Sequence, residues 1–255
     1  MTTFHLSQPV DADPALVWSA LSQPRGLAAW QADRVEGSVE PGARLALSWP
    51  SLGVAVEVSV TEWIPQRRLV LAWDTHRVTF EVDPGGVHLT CAGITNQDEL
   101  EGTGSAWALS LATLAHYCEH HAERERSVCW LSGIARAEPE LIHTYFTEVW
   151  AQRHWLGEGS GFGAVGSAVS IQLTPERALS GRVLAHTAGR DLLVSWEEDG
   201  ESVLAFRSLP SPLGSERMVM LSWSRWNPGA PPDGHFSALQ AAHRRLLKAL
   251  QPGAA

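Results

Sequence analysis

Cysteine is scarce in this chain of 255 residues, and the few cysteines form no recognisable motif. Cys91, Cys118 and Cys129 are an odd number, and no two of them have CxxC spacing. This argues against a disulfide framework and against a thiolate zinc site. We therefore expect three buried thiols.

Long apolar runs are also lacking. No stretch approaches the roughly 18 to 20 apolar residues that a membrane span requires. The N-terminal residues 1–14 have neither the basic start nor the apolar core of a signal peptide. The composition, 44% hydrophobic and 18% charged, is that of a globular protein. From these features we expect a cytoplasmic location.

Positive charge is in short supply. The net charge is −9, and residues 1–126 hold 16 acidic and 8 basic side chains while residues 127–255 hold 12 and 11. Neither half has the basic surface that neutralises phosphates. Nucleic acids and anionic membranes are therefore poor candidates as partners.

Tryptophan, in contrast, is abundant. The chain has 12 tryptophans, six in each half. Large rings can fill a core or line an aromatic pocket, and for any single tryptophan the core is the more common place.

The first half predicts a sheet followed by a long helix. Asp13-Pro14 is a strong helix-start signal after a first strand at residues 4–10. From residue 45 onward, apolar and polar residues alternate in several strand-like runs, of which residues 54–60 are the clearest. No crossover of a dozen or more residues separates these runs, so we predict an antiparallel meander. The overall plan is α+β.

The helix predicted at residues 102–124 carries one apolar stripe. Trp107, Leu111, Leu114 and Cys118 recur with helical period. We expect this stripe to pack on the apolar face of a curved sheet, with Thr103 or Ser105 as the N-cap.

The pattern then repeats. Pro139 follows Pro14, and Trp155 follows Trp30, both at an offset of 125 residues. A second helical stripe at residues 236–250 stands where the first half has residues 107–118. We predict two tandem domains, residues 1–126 and residues 127–255, of which the second is the more divergent.

Several sequence features occur in the order that is found in a known protein family. It includes an Asp-Pro helix start followed by Val17-Trp18, then Trp30, a turn glycine at Gly42, and Gly102-Thr103 before the long helix. In this order the chain resembles the START-like helix-grip (SRPBCC) superfamily, and it is most similar to bacterial relatives of the heat-shock-chaperone ATPase activator domain. The resemblance is clear over residues 4–124 and reaches residues 128–251 only through the repeat.

The resemblance implies a seven-stranded antiparallel sheet wrapped around the C-terminal helix in each domain. Two short helices would close one end, and a cavity would lie between the sheet and the helix. Members of the superfamily bind lipids, hormones, polyketides or other apolar molecules, some cyclise polyketides, and some act on a chaperone. They share no catalytic residue, so the fold leaves the function open. We expect no cofactor.

Three other groups of residues give only weak evidence for a metal, nucleotide-binding or catalytic site. His116 and His120 have the i, i+4 spacing of a metal site, but they lack the adjacent glutamate and lie off the apolar stripe, so we expect a solvated face. The glycine-rich residues 157–163 follow a helix and precede a strand, the reverse of a dinucleotide-binding loop. Cys91 and His88 do not share a strand face, which argues against a nucleophile and base pair.

The aromatic residues of the first domain are the best candidates for a site. If the sheet curves around the helix, their rings converge on one volume, which they either fill or leave as a flat slot. Cys91 and Cys118 would serve as small, polarizable wall residues. The candidate ligand-binding residues are Trp49, Trp73, Phe80, Cys91, Trp107, Leu111, Leu114 and Cys118.

We therefore predict a non-enzymatic protein that binds a small hydrophobic or aromatic molecule, with no catalytic residue and no metal. An alternative is a chaperone-associated interaction protein. A further alternative is a cyclase-like or hydrolytic enzyme that uses the same cavity. That enzyme needs polar groups that point inward, for which Glu57, Glu81, His88 and Arg44 are the nearest candidates. Strand alternation, however, places Glu57 and Glu81 on the outer face.

Overall fold

The structure, a computed structural model, describes residues 1–211, 216–226 and 234–251. The chain divides into two compact units, residues 1–127 and residues 128–255. Each unit has its own seven-stranded sheet.

The first domain is a strand, two short helices, six strands and a long helix. Its sheet has the order β1-β7-β6-β5-β4-β3-β2, and the paired strands are antiparallel. The elements are β1 (Thr2–Pro9), α1 (Pro14–Ser22), α2 (Pro24–Trp30), β2 (Arg34–Gly37), β3 (Arg44–Trp49), β4 (Val54–Ile64), β5 (Arg68–Trp73), β6 (His76–Asp83), β7 (Gly86–Ile94) and α3 (Gln97–His120).

Helix α1 begins where the sequence predicts. The Asp13 carboxylate accepts a hydrogen bond from the Ala15 backbone N–H at 2.8 Å, and Pro14 occupies the first turn. A proline there loses no intrahelical hydrogen bond, because the first N–H groups of a helix have no partner within it.

The long helix α3 begins earlier than predicted. It starts at Gln97 and ends at His120, so the predicted bounds of 102–124 are wrong at both ends. The N-cap is Asn96, whose side-chain oxygen accepts from the Glu99 N–H at 2.9 Å, and neither Thr103 nor Ser105 has this role. Gly102 and Gly104 lie inside the helix, where tertiary packing outweighs the modest cost of a helical glycine.

The same helix is buried more widely than its apolar stripe suggests. Every residue from 111 to 118 is buried, and this includes His116, whereas His120 is exposed. The prediction of a solvated face is therefore wrong for His116. A run of eight buried residues exceeds two helical turns, so α3 is covered around its circumference there.

The second domain repeats this plan. Its sheet order, β8-β14-β13-β12-β11-β10-β9, is that of the first domain strand for strand. The elements are β8 (Ser127–Ala135), α4 (Pro139–Thr147), α5 (Val149–Gln152), β9 (Glu158–Gly159), β10 (Ala168–Thr174), β11 (Arg177–Thr187), β12 (Asp191–Trp196), β13 (Ser202–Pro210), β14 (Arg217–Arg225) and α6 (His235–Ala249).

The two predicted tryptophan equivalents have the same structural role. The indole N–H of Trp30 donates to the carbonyl of Ala20 at 3.0 Å, and that of Trp155 donates to the carbonyl of Tyr145 at 2.7 Å. Both rings are buried, and each reaches back ten residues to the preceding helix. A buried indole N–H needs such a partner. Trp30 and Trp155, which are 125 residues apart, thus make the same hydrogen bond in their two domains.

The predicted fold class is confirmed: the chain is an α+β protein of two tandem helix-grip domains. Within the described ranges, no helix is both long enough and apolar enough to cross a membrane.

Candidate ligand cavity

A cavity of about 110 Å³ lies in the first domain, between the sheet, the end of α2 and the first half of α3. We call it the first-domain cavity. Ten of its eleven lining residues are aliphatic or aromatic, and none carries a titratable side chain. The lining residues are Leu27, Trp30, Gln31, Leu47, Trp49, Val56, Val58, Leu71, Trp73, Phe80 and Trp107.

Phe80 is the centre of the inner wall. Its ring meets that of Trp30 edge to face at 6.2 Å between centroids, and that of Trp107 at 5.5 Å. Edge-to-face contacts at these distances are favoured because the positive rim of one ring meets the negative face of another. Phe80 and Trp30 are almost fully buried, so this wall is a fixed part of the core.

Trp49 and Trp73 form the outer wall. Both are only half-buried, as are Val56 and Gln31, so this side of the cavity meets solvent. Trp49 ends β3 and Trp73 ends β5. Because both tryptophans are the last residues of their strands, their rings lie beside the opening of the cavity while the strands stay paired.

Trp73 is supported by His76 and Glu99. The imidazole of His76 stacks on the indole at 5.3 Å and 10°, and its Nε2 lies 2.8 Å from Oε1 of Glu99. The other Glu99 oxygen accepts from both the N–H and the hydroxyl of Thr95. These Thr95 hydrogen bonds, assisted by His76, lower the pKa of Glu99 to about 2. A charged carboxylate therefore holds the ring that backs Trp73.

Gln31 is the polar one among the seven lining residues that the sequence did not single out as site residues. It caps the C-terminus of α2, where its backbone N–H donates to the carbonyl of Leu27 at 2.8 Å. Its side-chain Oε1 is buried and accepts no hydrogen bond. Its one signal in the sequence is its place directly after Trp30.

The structure brings four of the eight predicted site residues together at this cavity: Trp49, Trp73, Phe80 and Trp107. The other four, Cys91, Leu111, Leu114 and Cys118, are buried but are not among its lining residues. Burial raises the pKa of the Cys91 thiol to about 11 and that of Cys118 to about 12. Both thiols are therefore protonated at neutral pH, as inert buried cysteines are.

The polar residues considered for catalysis lie on the outer face. Glu57, Glu81, His88 and Arg44 are all exposed. Glu57 pairs with Arg44 at 3.8 Å, and Glu81 pairs with Arg68 at 3.2 Å. The prediction that Glu57 and Glu81 point away from the helix is confirmed.

Residues 11–119 match the family model described as Activator of Hsp90 ATPase homolog 1-like protein. Over these residues the first domain is similar to this family. The match covers α1 through almost all of α3, and hence every lining residue of the first-domain cavity. The second domain lies outside the matched segment. No curated protein matches the chain.

Several solved structures are similar to this chain. The Aha1 dimer from Colwellia psychrerythraea is 19% identical over 47% of this chain and 97% of its own, with a TM-score of 0.43. DynU16, from the dynemicin biosynthetic locus, is 18% identical over 97% of this chain and 94% of its own, with a TM-score of 0.43. CalU16 from Micromonospora echinospora is 17% identical over 48% of this chain and 77% of its own, with a TM-score of 0.39.

The second domain packs aromatic rings around Phe206. Its ring has three aromatic neighbours: Phe162 at 5.4 Å, Phe146 at 5.8 Å and Trp155 at 5.9 Å. All four residues are buried. A separate void near β8, β14 and α6 measures about 10 Å³, which is room for about one water molecule.

A histidine pair links α4 to β11 in the second domain. Nε2 of His143 lies 2.9 Å from Nε2 of His186, and Nδ1 of His186 lies 2.9 Å from the carbonyl of Gly163. A carbonyl can only accept, so the His186 Nδ1 carries a proton and its Nε2 accepts from His143. Burial lowers the pKa of His143, the proximity of His186 lowers it further, and Glu148 partly offsets both.

We expect the second domain to lose stability as the pH falls below about 6.5, the ordinary histidine pKa. Burial is the main cause of a lowered pKa for His143, His235 and His243 alike. Below that pH these histidines bind protons in the unfolded state while they stay neutral in the folded state. The free energy of unfolding therefore decreases. Amide hydrogen exchange in β12–β14 at pH 7.5 and 5.5 measures this. His143→Gln should weaken the dependence, and equal stability at both pH values would contradict the prediction.

Proposed function

We propose that the first domain binds a small planar aromatic or apolar molecule in the first-domain cavity and does not convert it chemically. The observation that carries the proposal is a lining of aromatic and aliphatic side chains that is fixed on the inside and open to solvent at Trp49 and Trp73. Apolar concave sites with few polar groups are typical of ligand sites. The absence of a titratable group among the lining residues supports binding over catalysis.

The cavity volume restricts the size of the ligand. A dry apolar cavity of about 150 Å³ is enough for benzene, whereas pockets for drug-sized molecules measure about 300 Å³ or more. At about 110 Å³, the first-domain cavity suits a single ring that projects part of its edge between the half-buried tryptophans. A long lipid chain or a multi-ring polyketide is too large for it.

Blocking the cavity should abolish binding. Val56 lines the cavity on β4, and Val54 lies two residues away on the same strand, exposed and outside the lining. We expect Val56→Phe to weaken the binding of 4-fluorotoluene by at least about tenfold, since the added ring occupies the ligand volume. Val54→Phe should leave the affinity unchanged. Ligand-observed fluorine NMR titration measures both.

If both variants bind 4-fluorotoluene like the wild type, the ligand lies elsewhere and the proposal is wrong. Thermal unfolding of each variant provides the control for folding.

The family match favours a second candidate function, action on a chaperone. The matched family is named for activation of the Hsp90 ATPase, and the match spans most of the first domain. If the domain has this role, the purified chain should raise the ATPase rate of the Hsp90-type chaperone of its own host. Val56→Phe should leave that stimulation intact, because the cavity lies inside the domain. An unchanged ATPase rate over a range of concentrations of the chain would count against this function.

A further inference from the structure

Two histidines of the second domain meet between α4 and β11, although 43 residues separate them in the sequence. Nε2 of His143 lies 2.9 Å from Nε2 of His186, and the ring planes are within 24° of parallel. Both residues are only half-buried. This histidine pair, which neither candidate function uses, thus brings two imidazole nitrogens together near the surface of the domain.

The spacing of the two nitrogens matches that of two ligands on one metal ion. Metal–imidazole bonds measure about 2.0–2.1 Å. Two such bonds at a right angle place their nitrogens about 2.9 Å apart, whereas a tetrahedral angle requires about 3.3 Å. The observed separation is 2.9 Å. It therefore fits neighbouring positions on a square-planar ion, the geometry that Cu²⁺ and Ni²⁺ prefer with nitrogen and oxygen ligands.

His186 is already held in the way that metal-binding histidines are held. Its Nδ1 lies 2.9 Å from the carbonyl of Gly163. Because a carbonyl only accepts, Nδ1 carries the proton and the lone pair of the neutral ring lies on Nε2. A metal-binding histidine almost always donates its second ring N–H to a carbonyl, a carboxylate or water, which fixes the tautomer. The hydrogen bond to Gly163 thus leaves Nε2 of His186 as a ligand atom.

His143 can reach the binding form without a change of charge. In the histidine pair its Nε2–H donates to Nε2 of His186. Transfer of that proton to Nδ1 of His143 gives the other neutral tautomer and frees the Nε2 lone pair, so that an ion takes the place of the shared proton. The carboxylate of Glu148 acts electrostatically on His143, and its negative charge favours a cation there.

We propose that Nε2 of His143 and Nε2 of His186 bind one divalent transition-metal ion, for which Cu²⁺ is the best fit. Imidazole suits this ion, and Cu²⁺ forms the most stable complexes of the divalent first-row series. In the ranges that the structure describes, no third histidine, cysteine or carboxylate has a ligand atom within 4.8 Å of both nitrogens. Water therefore completes the coordination. The proposal is independent of the function proposed for the first domain.

The test is the binding of Cu²⁺ to the full chain after metal removal with EDTA, with glycine as a competing ligand that suppresses weak sites. We expect one ion per chain, and pulsed EPR should detect two coordinated imidazoles. His143→Gln and His186→Gln should each leave one imidazole and weaken binding by at least about tenfold, since even the hydrogen-bond partners of metal-binding histidines change the affinity about 10- to 100-fold.

His154→Gln and His120→Gln are the matched controls, because both histidines are exposed and lie outside the histidine pair. Both variants should keep the affinity and the signal of two imidazoles. If a control variant weakens binding and the variants of the pair do not, the ion binds at exposed surface histidines and the proposal is wrong.

The wild type alone provides a second measurement, which holds even if a variant of the pair does not fold. Bound Cu²⁺ should slow amide hydrogen exchange in α4 and β11, because release of these elements then requires release of the ion. A signal from fewer than two imidazoles, or slower exchange in the first domain only, would overturn the proposal.

Discussion

Replacement of Phe80 by alanine is expected to lower the free energy of unfolding of the first domain by about 3–5 kcal/mol. Phe80 is 1% exposed and packs edge to face with Trp30 and Trp107. The substitution loses the transfer free energy of the ring and enlarges an existing cavity, and two favourable aromatic contacts disappear. A loss of this size is a large part of the stability of an ordinary domain.

Amide hydrogen exchange in β5, β6 and β7 measures this loss, because these central strands report on opening of the first domain alone. The control is Phe80→Leu, which fills more of the space and should cost clearly less than the alanine variant. If Phe80→Ala lowers the free energy of unfolding by less than about 1 kcal/mol, the neighbouring side chains must move into the cavity. That result would contradict a rigid inner wall.

Removal of the Asp199 carboxylate should destabilise the second domain by a similar amount, about 3–5 kcal/mol. The Nε of Arg225 donates to Oδ2 of Asp199 at 3.0 Å, and the two side chains are 8% and 2% exposed. Arg225 also lies over the ring of Trp223 at 5.2 Å. In Asp199→Ala the buried guanidinium loses this counter-charge, and its cation–π contact with Trp223 offsets only a small part of that cost.

The matched control is Glu57→Ala, which breaks the Arg44–Glu57 ion pair in the first domain. These side chains are 77% and 78% exposed, and exposed pairs contribute at most about 1 kcal/mol. Hydrogen exchange in β12–β14 gives the effect of Asp199→Ala, and exchange in β3–β4 gives that of Glu57→Ala. Equal losses in the two variants would refute the argument from burial.

The two domains differ in what lies beneath their sheets. The first domain keeps a cavity beside Phe80, whereas Phe206 in the second has three ring neighbours. The ion pair of Asp199 with Arg225 and the pairing of His143 with His186 belong to the second domain. This difference supports the ligand binding proposed above for the first domain.

The amino-acid sequence by itself determined the fold of this protein. Alternation of apolar and polar residues predicts strands, and short connections between them favour antiparallel pairing. The Asp13-Pro14 helix start and the offset of 125 residues between Trp30 and Trp155 are local or repeated signals. Both survive in the structure as a helix cap and as equivalent indole hydrogen bonds.

The start of α3 could have been predicted too. Asn96 followed by Glu99 is a known helix-start pattern, whereas Gly102 and Gly104 favour a later start. Glycine has a modest helical cost that the packing of a long buried helix exceeds.

Only the tertiary structure decided which residues line the cavity. Periodicity places Trp107, Leu111 and Cys118 on one face of α3, yet only Trp107 reaches the lining. Whether a buried side chain borders a space or fills it depends on sheet curvature and on the size of its neighbours, which are long-range properties. For the same reason no local pattern singled out Gln31 as a lining residue.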